Sequence, residues 1–349
     1  TLTLQDRWDN DGALELPDGT VNLGGTFTLA DLGTFNRTGG TVNLVGTLDN
    51  TGTTLRLDGL TGSWVIDGGR INNGVVELVE GSTLVVTGNS NNRLSGVTLD
   101  ADLALSASSA RLRLSNGVAI NGTVTVSGSN ASLVSDTTQT VGGVGTIRFE
   151  GGSGSERDLF VEGGTTLTLG ADLTVAGGGA QIGNVFFVGG NSSVINRGTI
   201  VADQPGQALR IDAGGAGTFT NEGVITGNST LAGDIINQGV VQPGLDIGTL
   251  TIDGNYTQTS AGELRIEVAG SASGSFDVLS ITGQASLGGH LDVRLADGFE
   301  PSIGNQFEVV SYTDALGDFE TFSLPGGASD VGFSLNVNDS SITVDTIQA

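Results

Sequence analysis

The feature that most constrains this chain is a short β-branched run broken by Asn–x–Gly. It is clearest in Val194-Ile195-Asn196-Arg197-Gly198-Thr199-Ile200, and it recurs around Asn221 and Gly223 and around Asn237 and Gly239. Ile71-Asn72-Asn73-Gly74-Val75-Val76 repeats it near the start, and Leu48-Asp49-Asn50-Thr51-Gly52 is a looser copy. Recurrence of this kind predicts a solenoid, in which each turn buries its apolar face only by stacking on its neighbours.

The spacing selects among solenoids. Asn196 and Asn221 are 25 residues apart, Asn221 and Asn237 are 16 apart, and Asn50 and Asn72 are 22 apart. Fixed-period hexapeptide and calcium-binding nonapeptide arrays do not vary in this way. Turns of about 14 to 25 residues fit a parallel β-helix, whose loops lengthen without disturbing the stacked strands. At about 4.8 Å per rung, roughly 12 rungs over the first 245 residues predict a rod of about 60 Å. Strand-like runs such as Thr83–Val86, Thr166–Leu169 and Thr249–Ile252 are short and bounded by Gly, Asn, Asp or Ser, as strands ended by tight turns require. No run has convincing helical periodicity.

Asn and Gly have a structural use at the corners between strands, where both tolerate φ > 0. Asn side chains at equivalent corners are expected to stack into a hydrogen-bonded ladder. The alternative reading is glycosylation at seven N-x-Ser/Thr sites, Asn36, Asn121, Asn130, Asn191, Asn228, Asn255 and Asn338; the corner role is the simpler explanation.

Charge narrows the partners. Asp and Glu number 38 against 13 basic residues, all Arg, for a net charge of −25. Nucleic acid and anionic lipid require basic patches and are excluded as partners. There is no Cys, which removes disulfides, thiolate metal sites and cysteine catalysis. No secretion signal or long apolar run is present, so any export signal or anchor is expected outside this stretch.

The texture shifts near Pro243-Gly244. Residues 1–245 hold 23 acids and 11 Arg; residues 246–349 hold 15 acids and 2 Arg. The chain is therefore divided into a β-helix repeat region at 1–245 and a β-rich C-terminal cap at 246–349, since a solenoid must cover its apolar end.

Within that last third, Gly254-Asn255-Tyr256-Thr257-Gln258 and Gly262–Val268 resemble the end of the passenger region of bacterial autotransporters. So do Phe276–Val293 and Pro301–Phe307, and the likeness covers roughly residues 248–325. The resemblance implies a right-handed parallel β-helix, exported and displayed at a cell surface or released. It departs from the family pattern in lacking the membrane barrel of alternating strands within this stretch.

Reaction chemistry is sparse. His290 is the one histidine, set in Gly288-Gly289-His290-Leu291-Asp292, and reads as an exposed strand residue with no nucleophile motif beside it. No Gly-x-Ser-x-Gly elbow or phosphate loop is present. Carboxylates are candidates for polysaccharide cleavage or Ca²⁺ binding at Asp9/Asp11, at Asp100/Asp102, and at Asp212 with Arg210. Asp100 and Asp102 are expected on one strand face by the period-2 rule. In a chain so acidic, same-face carboxylates are ordinary. Thr-x-Thr pairs such as Thr123/Thr125 and Thr166/Thr168 raise ice binding, but they do not fall in each successive rung and fit strand propensity better.

The expectation is a non-enzymatic β-solenoid, secreted or at the bacterial outer surface, with no catalytic, cofactor or metal site. It would act by shape as an adhesin passenger, surface-layer component or filament subunit. Expected partners are further copies end to end, surface glycans or neighbouring surface proteins. A carbohydrate-active β-helix enzyme is the alternative, and glycan binding through Trp8, Trp64 or Tyr256 a third.

Overall fold

The computed structural model describes residues 1–79, 81–151, 157–185, 190–296, 298–326 and 330–349. The chain is an all-β parallel solenoid of about 12 turns, and among the described residues its one helical element is a 3₁₀ turn at Ala30–Leu32. Each turn contributes strands to three faces in rotation, so most strands that pair lie three apart in chain order.

The first face runs from Leu2–Leu4 to Leu84–Val86, and then from Leu103–Leu105 to Thr321–Ser323. The second is one 15-stranded sheet from Thr26–Phe27 through Gln306–Ser311, extended by Ser341–Gln348 and Val331–Val337. The third holds Ala13–Leu16 and Thr34–Arg37, then Thr54–Leu57 to Ala119–Ile120, then Gln139–Val141 to Asp314–Leu316.

Strand sequences explain this arrangement. In Thr123-Val124-Thr125-Val126 the valines are buried and the threonines half-exposed, which is the period-2 pattern of a strand with one face to a core. Parallel register stacks like on like: Val124 pairs with Ile147, Ile147 with Val175, Val175 with Ile200, and Ile200 with Ile225. The result is one continuous apolar column.

Turn length varies more than the sequence reading allowed. Val241 follows Ile225 in register after 16 residues, but Phe322 follows Leu291 only after 31. Longer turns are why about 12 coils use the whole chain, instead of its first 245 residues. Parallel pairing crosses residue 245 without a break, through Leu231 with Ile252 and Val241 with Leu264. The antiparallel strands come last: Ser341–Gln348 pairs with Gln306–Ser311 and with Val331–Val337. Beneath them Phe307 meets Phe276 and Phe299 edge to face, at 5.5 and 6.2 Å between ring centres.

The expected Asn ladder is present and inward-facing. Asn196, Asn221 and Asn237 are buried and in register. Asn196 Nδ2 donates to Asn221 Oδ1 at 2.8 Å, and Asn221 Nδ2 donates to Asn237 Oδ1 at 2.8 Å. Asn237 Nδ2 continues to Tyr256 Oη at 3.2 Å, and Gln258 ends the run on the carbonyls of Gly288 and His290, both at 2.9 Å.

The role assigned to glycine needs correction in these units. Asn73 and Gly74 do adopt φ of 62° and 64°. At Gly223 and Gly239 the requirement is space: a Cβ would fall 2.2 Å from the carbonyl oxygen of Gly198 or Gly223 on the preceding rung. Stacked corners approach too closely for any side chain.

Candidate functional site

Between the second and third faces most corners are tight. Gly233-Asp234 joins Thr230–Ala232 to Ile235–Asn237, and Gly254-Asn255 joins Thr249–Asp253 to Tyr256–Gln258. One turn earlier the same corner is the longer glycine-rich segment 213–218, between Leu209–Asp212 and Phe219–Asn221. It stands as a wall beside the tight corners and leaves a groove of about 640 Å³. Asp212, Asp234, Asn255, Thr257, Gln284 and Ser286 supply its polar lining.

Hydrogen bonds set that lining. Asp234 Oδ1 accepts from Asn255 N at 2.8 Å, and Asn255 Oδ1 accepts from Gln284 N at 3.0 Å. Gln284 Nε2 donates to Asp314 Oδ2 at 3.2 Å, which carries the corner ladder one rung further. Asp212 Oδ1 accepts from Gly214 N at 2.9 Å and fixes the base of the wall. Beside this ladder Thr257 and Ser286 pair in register and add hydroxyls at the rung spacing. The groove thus offers hydroxyl, amide and carboxylate groups and no Arg, an arrangement suited to an uncharged hydroxyl-rich ligand.

Asp212 was a sequence candidate. Arg210 lies on the same strand and exposed, but no ion pair joins the two among the described residues. Asp234, Asn255 and Gln284 were not singled out as site residues. Only register brings them together, and Asp234 sits 50 residues before Gln284 in sequence.

The other carboxylate candidates are apart from this groove. Asp9 and Asp11 are exposed near the N-terminal end, flanking Asn10, whose Nδ2 donates to Leu32 O at 2.9 Å. Asp100 and Asp102 do not share a strand, contrary to the period-2 expectation: buried Ala101 lies at the corner between Thr98–Asp100 and Leu103–Leu105. Asp100 accepts from Asn121 Nδ2 on the next rung, and Asp102 Oδ1 accepts from Thr123 N at 2.7 Å. Both serve as corner ties. No cluster of three or more His, Asp or Glu suited to a metal ion forms among the described residues.

His290 is half-buried rather than exposed, and it does have a hydroxyl neighbour. Ser323 Oγ lies 3.1 Å from Nε2, and Thr321 Oγ1 lies 2.8 Å from Nδ1. Those hydroxyls come from the next turn, more than 30 residues away, so no local motif announced them. A serine triad needs a carboxylate at Nδ1; threonine occupies that place. The aromatic candidates are turned inward: Trp64 and Tyr256 are fully buried, and Trp8 is half-buried against Phe27 with ring centres 4.8 Å apart. All seven sequon asparagines are exposed. The threonines also surprise, because Thr123, Thr146, Thr174 and Thr199 form a column over four successive rungs. The adjacent column reads Thr125, Arg148, Ala176, Val201, so no flat threonine face results.

The strongest electrostatic feature lies on the second face. Arg93 grips Asp136 with both terminal nitrogens, at 2.7 and 3.2 Å. Arg113 bridges Asp136 at 3.0 Å and Glu162 at 2.7 Å, and Arg111 also bonds Glu162. Burial alone would raise the Asp136 pKa, but the Ser115 hydroxyl and the Arg93 charge hold it below the usual carboxylate value. Nearby Asp158 is buried with Oδ1 unbonded, and burial pushes its pKa up to about 7 against the pull of Arg111. The cations here are matched by the protein's own acids, so the cluster ties rungs together.

No family model matches this sequence, and no curated protein matches it.

Proposed function

We propose that this chain is a non-enzymatic β-solenoid of the autotransporter-passenger kind, secreted or held at the bacterial outer surface, which works by shape as an adhesive or structural rod. The observation that carries the reading is the use made of polar side chains. Asn196, Asn221 and Asn237 stack inward, Asp100, Asp102 and Asp234 bond to the corner of the next rung, and Asp212 bonds within its own corner. Of the carboxylates that sequence alone offered as catalysts, Asp100, Asp102 and Asp212 are engaged in building the rod. In this reading the groove at Asp212–Ser286 is the contact surface for an uncharged surface glycan. The open edge of Val331–Val337, paired on one side only among the described residues, is a template for association between copies.

Localisation tests this directly. Antibody against the folded rod should label unpermeabilised producing cells or detect the chain in the medium; signal confined to the cell interior would refute the proposal.

The second reading, a carbohydrate-active enzyme, is favoured by one observation: Asp212 and Asp234 line the same groove. Acidic and neutral polysaccharides incubated with and without Ca²⁺ should yield no shortened products. Turnover lost in Asp212→Ala or Asp234→Ala would replace the structural reading with the enzymatic one.

A further inference from the structure

We infer that the rod contains built-in hinges at two rung junctions, with the continuous second face as its spine. Hydrogen-bonded ladders resist separation of neighbouring turns in a stacked array. The second face keeps its ladder from Thr26–Phe27 through Gln306–Ser311. The other two do not. On the first face no ladder joins Leu84–Val86 to Leu103–Leu105, and on the third none joins Thr34–Arg37 to Thr54–Leu57. The junction between Ala119–Ile120 and Gln139–Val141 is not open: around the bridge of Ala119 with Gly142, Gly142 N donates to Val118 O at 3.0 Å, Ile120 N to Gly142 O at 2.8 Å and Gly145 N to Ile120 O at 2.9 Å.

Both full gaps are open clefts. The first-face gap has a volume of about 470 Å³ between Val85 and Ala104, and the third-face gap about 350 Å³ beside Phe35, Leu55 and Trp64. At the third-face gap a side chain replaces the missing backbone bonds. Arg37 spans the third-face gap, donating to Gly39 O at 2.9 Å, Gly40 O at 2.8 Å, Thr61 O at 3.0 Å and Ser63 O at 2.6 Å. At the junction after Ala119–Ile120, Gln139 adds to the backbone bonds: Nε2 donates to Leu114 O at 2.7 Å and Oε1 accepts from Gly117 N at 3.0 Å.

A rotatable side chain yields where a backbone ladder does not. Opposite the first-face gap, the Arg93–Asp136–Arg113–Glu162 network adds cross-rung bonds to the unbroken side. The turns can therefore open along the first and third faces while the second stays closed. Both gaps lie before residue 106, and beyond the bridged junction at Gly142 the later turns keep every ladder. The rod bends in its first part and stays straight in the rest, a property suited to following a curved surface.

The chain has no Cys, so introduced cysteines carry spin labels cleanly. Val65→Cys with Thr125→Cys spans three rung steps across the first-face gap; Thr125→Cys with Val201→Cys spans three steps of unbroken ladder. Pulsed electron spin resonance should give a distance distribution about two-fold wider for the first pair. Equal widths would overturn the inference. Amide exchange on the unmodified chain gives an independent reading: Leu103–Leu105 should exchange about ten-fold faster than Thr123–Val126. Matching rates would also refute it.

Discussion

Asn221 donates from Nδ2 to Asn237 Oδ1 at 2.8 Å while its own Oδ1 accepts from Asn196 at the same distance. The Asn221 amide also reaches Gly223 O at 3.3 Å and Val240 O at 3.1 Å. Donors and acceptors are all met inside the core. Asn221→Ala should therefore cost about 1–3 kcal/mol for each group it orphans. Asn221→Asp should cost more, because it sets a carboxylate oxygen against carbonyl oxygens that need donors. Urea unfolding of the three proteins measures the order.

The ladder ends in an imperfection. Asn196 Oδ1 is buried with no partner, and its neighbour on the preceding rung is Leu169. An asparagine at 169 would supply the missing donor while losing apolar burial. Leu169→Asn should be less destabilising than Leu167→Asn, a buried position on the same strand, by about 1–3 kcal/mol. Equal losses in denaturant midpoint would show that the orphaned oxygen has no energetic weight.

Acidity should affect this rod in an unusual direction. Asp277 is fully buried and accepts from Gly248 N and Glu267 N, both at 2.9 Å, yet burial outweighs those bonds and pushes its pKa up to about 7. Asp158 is raised to about 7 as well, chiefly by burial. A carboxyl with a raised folded-state pKa binds more protons folded than unfolded. Its contribution is complete below the unfolded value near 4 and is lost as pH rises through about 7. Each group should make stability fall by up to about 1.4 kcal/mol per pH unit within that window. Asp158→Asn and Asp277→Asn should each flatten the curve; an unchanged slope in both would refute the assignment.

Arg93 and Arg113 share Asp136, at 2.7 and 3.0 Å. Asp136→Asn removes the charge common to both and should cost about 1.5–3 kcal/mol. Arg56→Ala, which breaks pairs to Asp58 and Glu77 on an exposed side chain, should cost less than about 1 kcal/mol. The difference is readable in thermal unfolding at low and moderate salt.

The stacking of Asn196, Asn221 and Asn237 was legible because these residues sit in near-identical local units, and parallel register brings like onto like. The groove was not legible. Asp234, Asn255 and Gln284 each follow a corner glycine, Gly233, Gly254 and Gly283, but nothing local marks them as lining one groove; they converge because tight corners follow a long one. The Ser323–His290 contact was hidden for the same reason, since its partners lie a full turn apart. Asp100 and Asp102 failed in the opposite way. Their spacing looked like a strand, but Ala101 turns the corner between two sheets.

Sequence by itself determined the kind of object this is: short alternating strands, glycine where turns crowd, inward amides and an acidic exterior specify a parallel stack, because each is a local property that repeats. Only the tertiary structure decided how long each turn is, which ladders are broken and which outward residues meet. Those depend on register between coils 16 to 31 residues apart. Loops of different length leave the strands in register, so which corner residues meet is decided by the length of each coil and not by any local preference.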